Sequence, residues 1–270
     1  MAVNLRTFRL TALLTTALGI ALPLEARILN VPDDFQRIQT AIDSSANGDT
    51  VLIAPGTYRE TIDFLGRNIT VAGQYLTTGD EGLINRTMIS GNIGNNRSVV
   101  SIRTGESSAA QLIGLTIRDG RAVAGAGIFI AGSSPVIRRV RITRCLASVC
   151  GGGIYATRVS MPIIRDCIID SCQAAEFGGA VAVDDGAEIR IETSDLRRNQ
   201  SNKGGGLALH GTRSRPPSGW FEGVNFTANQ AISNGNRSTQ GGGAYLIYSD
   251  TVRNAYAAFV GCKFEADTAY

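Results

Sequence analysis

Lysine is almost missing from this chain: of 26 basic side chains, only Lys203 and Lys263 are lysines. Histidine and tryptophan occur once each, and aromatic residues make up 6% of the 270 positions. Against 23 acidic residues the net charge is only +3. That balance is too small to hold a nucleic-acid backbone, so nucleic acid is not an expected partner. Beyond residue 26 no apolar run approaches the ~20 residues that a membrane span needs. The cysteines show no spacing that suggests zinc, so no metal ligand set is assigned. The repeated part leaves no stretch for a helix of ~10 residues. The basic side chains are therefore arginines, which meet carboxylates in a planar two-bond geometry. They suit an acidic polysaccharide as ligand, and equally suit ladders of Arg–Asp/Glu pairs on a solvated surface.

The first 26 residues read as an export signal. Arg6 and Arg9 supply a positive start, Leu10 to Leu22 is uncharged and apolar, and Pro23-Leu24-Glu25-Ala26 offers a cleavage segment. The run is too short to anchor the chain. The protein is expected to be secreted or held at the cell surface, with no transmembrane segment once the signal is removed. Residues 27–270 are expected to form one domain, with a cap and first coils over 27–124 and glycine-led repeats over 125–270.

The chain contains 32 glycines, and they are clustered. Clusters at Gly125, Gly151, Phe177-Gly178-Gly179, Gly204 and Gly241 each open a short apolar strand, at a near-constant interval until the last. The longer last step places an insertion over Ile232 to Gln240. Each unit also carries a downstream element: Ile142-Thr143-Arg144-Cys145, Ile169-Asp170-Ser171-Cys172, Leu196-Arg197-Arg198-Asn199, Phe226-Thr227-Ala228-Asn229 and Phe264-Glu265-Ala266-Asp267. A third alternation, such as Pro135-Val136-Ile137, lies between them. One such unit cannot bury its own apolar face, but stacked units can. Strands stacked ~4.8 Å apart put equivalent residues in columns. Ile128, Ile154, Ala180, Leu207 and Ala244 form one expected inward column; Ile130, Ala156, Ala182, Leu209 and Leu246 form the next. The constant spacing and matched columns favour this arrangement over a β-sandwich. The fold class is all-β: a single-stranded right-handed parallel β-helix with three short strands per coil and an N-terminal capping α-helix.

That helix is expected over Asp34–Ser45, with Phe35, Ile38 and Ile42 on one face, Asp33 or Asp34 at its N-cap and Gly48 at its end. Thr50–Ala54 then reads as a strand, and Pro55-Gly56 as a type II turn. The stretch Val31-Pro32-Asp33-Asp34-Phe35, Ile38-Gln39-Thr40-Ala41-Ile42, Gly48-Asp49-Thr50-Val51 and Pro55-Gly56-Thr57-Tyr58 resembles the start of pectin-lyase-like β-helix proteins. Gly178-Gly179-Ala180-Val181 and Phe226-Thr227-Ala228-Asn229 resemble repeats of polymorphic outer membrane proteins. The resemblance covers almost all of the chain after the signal. It implies the fold, and it implies an exported protein that binds or processes polysaccharide or cell-surface glycan, or a non-catalytic surface adhesin built from the same coils. The motifs of polygalacturonase-like, pectin-esterase-like and pectate-lyase-like enzymes are not matched. At the other end no cap follows the last repeat before Tyr270, so the last coil is expected either to continue or to pair with something.

Three groups of residues are candidates for chemistry. Counting from the glycines stacks His210 over Val183, with Asp184 and Asp185 following directly and Arg158 level with Asp184 one coil earlier. Two carboxylates and a histidine on one edge can do acid–base work or hold calcium, and the arginine can meet a substrate carboxylate. The plainer reading is a surface turn where charges pair. Phe129, Tyr155 and Tyr245 form an outward aromatic row, interrupted by Val181 and Ala208, that can stack against sugars or simply suit a pleated surface. Cys145 and Cys172 hold equivalent positions one coil apart, within disulfide range, or else begin a buried ladder that Asn199, Asn229 and Asp267 continue. The cysteine count of five leaves at least one thiol unpaired.

Overall fold

The computed structural model describes residues 25–92, 94, 96–211, 215–233, 239–247 and 256–270. The expected export signal therefore lies, apart from Glu25 and Ala26, outside the described residues. Among the described residues every strand pairing is parallel, and the strands gather into four sheets of nine, eight, seven and six. One coil shows the path. Ile128–Ala131 lies in the seven-stranded sheet, Val136–Arg138 in the nine-stranded and Arg141–Thr143 in the eight-stranded. Leu146–Cys150 lies in the six-stranded sheet, and Ile154–Thr157 then returns beside Ile128–Ala131. The three expected strands are present, and a short fourth joins them. It escapes the sequence because pieces such as Gln173–Ala174 are too short to show an alternation.

The glycine bends set the register. Gly125, Gly151, Gly178, Gly204 and Gly241 all take positive φ. A Cβ on Gly178 would stand 2.1 Å from the Val181 carbonyl oxygen, so only glycine fits. The third unit thus begins at Gly178, not at Phe177. Phe177 precedes the bend, level with Cys150 and Lys203. This corrects both columns: Val181 stands with Ile128, Ile154, Leu207 and Ala244, and Val183 stands with Ile130, Ala156, Leu209 and Leu246. Both valines are fully buried. Shifting a strand by one residue exchanges its faces, so the correction also moves Ala182 outward.

The helix is shorter than expected, Ile38–Ser44, with Arg37 at its N-cap. Asp34 instead binds the Asn30 backbone N–H at 2.8 Å and its side-chain amide at 2.9 Å, which closes the turn before the helix. The first helical N–H groups, of Ile38 and Gln39, donate to the buried Glu60 carboxylate at 3.0 and 3.1 Å. A distant carboxylate therefore does the capping that a neighbouring aspartate was expected to do. Ile38, Ala41 and Ile42 are fully buried in the core, where the helix meets the strands Ile28–Val31 and Thr50–Ile53. Gly56 is not the left-handed residue of a type II turn. It opens the strand Gly56–Arg59, which pairs with Thr87–Ser90.

After the eight-stranded sheet each repeat turns through one left-handed residue: Arg144, Ser171, Arg198, Ala228 or Ala266. The residue that follows points into a hydrogen-bonded stack. Asn229 Oδ1 accepts from the Asn199 backbone N–H at 3.1 Å and its amide at 3.0 Å. Asn229 Nδ2 donates to Leu196 O at 2.8 Å and to Asp267 Oδ1 at 3.0 Å. Asn199 Oδ1 accepts from the Cys172 N–H at 2.9 Å. Cys145 and Cys172 continue the stack as buried free thiols, as all five cysteines are free in the structure. Arginine ladders are also present. Asp170 alone meets Arg198 at 2.7 Å, Arg141 at 3.1 Å and Arg197 at 3.8 Å.

Candidate functional site on the seven-stranded sheet

The outward residues of the seven-stranded sheet form one row across successive coils: Asp63, Ser101, Phe129, Tyr155, Ala182, Ala208 and Tyr245. Alternation along each strand points them away from the core that their neighbours fill, with Ala182 and Ala208 themselves buried. The rings of Phe129 and Tyr155 approach to 5.9 Å at an angle of 43°. Tyr245 is separated from them by Ala182 and Ala208, not by Val181 and Ala208. Lys203 Nζ spans part of that gap, 5.6 Å from the centres of both the Phe177 and Tyr245 rings.

Asp184 closes its strand directly beside His210, because the true register pairs Asp184 with His210 and Val183 with Leu209. The Asp184 carboxylate faces His210 Nδ1 at 3.9 Å. Its Oδ2 accepts the Tyr155 hydroxyl at 3.3 Å, and its Oδ1 accepts the Asp185 backbone N–H at 2.6 Å. The Phe177 ring lies 4.1 Å from the imidazole, tilted 31° to it, and fixes one face of His210. The His210 and Asp184 side chains are 25% and 16% exposed, enough to meet a ligand.

This corner is electrostatically coherent. Burial, then the Asp184 charge, holds the Tyr155 phenol well above its ordinary range, so it stays a donor. Burial, with the charges of Asp184 and Glu176, pushes the Cys150 thiol up to about 12. Cys150 is therefore not a nucleophile at neutral pH.

Asp184 and His210 share the expected edge, but His210 lies beside Asp184 and not over Val183, and Tyr155, from the aromatic row, joins them. Asp185 contributes its backbone N–H to Asp184, while its own position is a left-handed turn residue. Arg158 stands level with Asp185, since the next residue, Val159, donates its N–H to Asp185 O at 3.1 Å. It is exposed, with no ion-pair partner among the described residues. Phe177 was missed as a site residue because it was counted as the first residue of its repeat. Among the described residues no three carboxylate, histidine or cysteine side chains gather as a metal would need, so the calcium expectation has no side-chain ligand set there.

The sole tryptophan lies elsewhere. Trp220 is 40% exposed on the nine-stranded sheet, level with Arg190, and its indole N–H donates to Glu222 at 3.3 Å. Arg190 and Arg165 both pair with Glu192 there.

The family description "right handed beta helix region" matches residues 62–230. The chain belongs to this right-handed β-helix family. The match spans six of the seven strands of this face, from Asp63 to His210, and leaves out Ala244–Ile247. Solved structures similar to it include Escherichia coli YbhC, at 11% identity and a TM-score of 0.43, covering 93% of this chain and 86% of that one. A pectin methylesterase from Aspergillus niger gives 14% identity and a TM-score of 0.43, over 90% and 87% of the two chains. The pectate lyase Pel9A gives 12% identity and a TM-score of 0.43, over 87% and 78%. No curated protein matches the chain. Family membership carries the fold; activity has to be argued from the face itself.

Proposed function

We propose that this is an exported β-helix protein that binds polysaccharide along the outer face of its seven-stranded sheet and processes it at Asp184 and His210. The observation that carries the reading is the approach of Asp184 to His210 at 3.9 Å, two coils along from the neighbouring tilted rings of Phe129 and Tyr155. Sugars pack against aromatic faces, and a carboxylate beside one imidazole nitrogen, at 3.9 Å and so outside hydrogen-bond distance, leaves the other nitrogen to exchange a proton with substrate. The Tyr155 hydroxyl and the Asp185 N–H hold the carboxylate in place, and Phe177 holds the ring. Export is supported by the basic, apolar and cleavage segments of residues 1–26. Among the described residues no helix is long and apolar enough to cross a membrane.

The test is to incubate the chain from Arg27 with a panel of acidic and neutral polysaccharides and to assay reducing ends and unsaturated products. New ends with one polymer support processing. A second reading is a non-catalytic adhesin that uses the same face, and it is favoured by Arg158 making no ion pair with the neighbouring carboxylates among the described residues. Binding without product from a folded sample selects it.

A further inference from the structure

The outer face of the eight-stranded sheet carries positive charge that its own carboxylates do not neutralise. Four successive strands matter: Thr116–Arg118, Arg141–Thr143, Ile168–Asp170 and Asp195–Arg197. Their outward side chains, with the left-handed residue after each strand, include five arginines and three aspartates. Arg118 and Arg144 share Asp119, at 2.6 and 2.9 Å. Arg141, Arg197 and Arg198 gather around Asp170. The third carboxylate, Asp195, accepts from the Asn225 amide at 2.8 Å. The patch therefore holds two uncompensated positive charges, on a chain whose whole net charge is +3.

Asp170 is at its centre and is saturated. Its side chain is 4% exposed and comes from the coil between those of Arg141 and Arg197. Oδ1 accepts from the Ser171 hydroxyl at 2.8 Å and from Arg198 Nη2 at 2.7 Å. Oδ2 accepts from Arg198 Nη2 at 2.7 Å and from Arg141 Nη2 at 3.1 Å. A carboxylate offers about four lone-pair sites, so none is left for Arg197. Arg197 Nε stands 3.8 Å from Oδ2, beyond hydrogen-bond distance, buried and without an acceptor. No other hydrogen bond engages this guanidinium among the described residues, although its side chain is 32% exposed. A guanidinium held without an acceptor beside two others is a site for an added anion.

We propose that this patch binds a phosphate group, free or carried by a lipid headgroup, through the outer edges of Arg197, Arg198 and Arg141. A phosphate carries about two negative charges near neutral pH, which matches the excess. Its tetrahedral oxygens accept from guanidiniums arriving from different coils. A planar carboxylate is filled by one fork, and Asp170 already supplies it. The three guanidiniums converge to within 3.8 Å of that one carboxylate, so a single small anion reaches all of them. The site lies on a different sheet from Asp184 and His210 and does not depend on the polysaccharide reading.

Isothermal titration of the chain from Arg27, at constant ionic strength, tests it with inorganic phosphate and with acetate as the planar control. Phosphate is expected to bind at least about tenfold more tightly than acetate. Arg197→Gln should lose about tenfold in phosphate affinity and melt like the unaltered protein, because Arg197 makes no hydrogen bond that folding would miss. Arg197→Lys keeps the charge and the stem but not the planar fork, and should fall between the two. Flotation with phosphatidylcholine vesicles containing phosphatidic acid separates the sources. Capture that Arg197→Gln abolishes assigns a lipid phosphate; phosphate binding without capture assigns a soluble one. Phosphate binding no tighter than acetate binding overturns the inference. So does undiminished phosphate binding in folded Arg197→Gln, or in Arg197→Lys should the glutamine variant not fold.

Discussion

Tyr155 donates its hydroxyl to Asp184 Oδ2 at 3.3 Å from the strand one coil earlier, so the carboxylate that faces His210 is oriented by a different coil from the one that carries it. Because the phenol's pKa is raised, it donates across the whole neutral range. Tyr155→Phe is expected to lower turnover about tenfold while leaving the melting temperature nearly unchanged, since the ring stays. Asp184→Ala should abolish turnover without unfolding the rod. Unaltered product formation in Asp184→Ala removes the catalytic assignment.

The asparagine stack predicts a stability effect. Asn229 is fully buried, and its side chain makes four hydrogen bonds reaching three coils. Asn229→Ala leaves those partners unsatisfied and is expected to cost about 2–3 kcal/mol. Urea unfolding measures it; a loss below about 0.5 kcal/mol would show that the stack is incidental.

The glycine bend is a sharper test. Gly178→Ala requires a left-handed alanine whose Cβ strikes the Val181 carbonyl. A loss of at least about 2 kcal/mol is expected. Gly79, also left-handed but with open space around it, is the control and should tolerate alanine better.

Acid sensitivity has a named source near the helix. Burial raises the Asp49 pKa, but hydrogen bonds from the Arg27 side chain and from the Ala46 and Arg27 backbone outweigh it and hold the carboxyl at about 2. A folded value below the ordinary 3.8 means that this group's stabilisation is complete above about pH 4 and is lost as the pH falls toward 2. Thermal melting of Asp49→Asn should therefore change less between about pH 5 and about pH 2 than melting of the unaltered protein. Equal slopes in the two proteins would exclude Asp49 as the source.

Cys145 and Cys172 are buried neighbours in the inward stack. In an oxidising compartment we expect them to form a disulfide that joins two consecutive coils. Peptide mapping of exported protein under non-reducing conditions would recover the crosslinked peptide. Two unlinked peptides from such material would leave the pair as a thiol stack.

The coil was readable from the sequence because stacking repeats one physical demand at a fixed interval. Each bend needs glycine, each inward position needs an aliphatic side chain, and each turn after the eight-stranded sheet needs a residue that can hydrogen-bond along the stack. Within the repeats, what was misread depended on one residue. Phe177 stands directly before the glycines of its unit, and counting from it reversed the faces of Ala180 to Val183 and displaced His210 from Asp184. The partnership of Glu60 with the helix start was not readable at all, because those residues are more than twenty positions apart and only the coil brings them together. The Tyr155–Asp184 contact was hidden by the same register shift, although both residues were already singled out.

The longer step before the last glycine cluster leaves the stacking undisturbed: Gln240 still lies level with Lys203, and Ala244–Ile247 still continues the strand Leu207–His210. Length added at a corner is therefore not transmitted to the interior. The rod behaves like a rack of independent shelves, where a segment can be lengthened or exchanged at one level without the others registering it. New recognition surfaces can be grafted onto this protein one coil at a time, with the inner columns as a fixed frame.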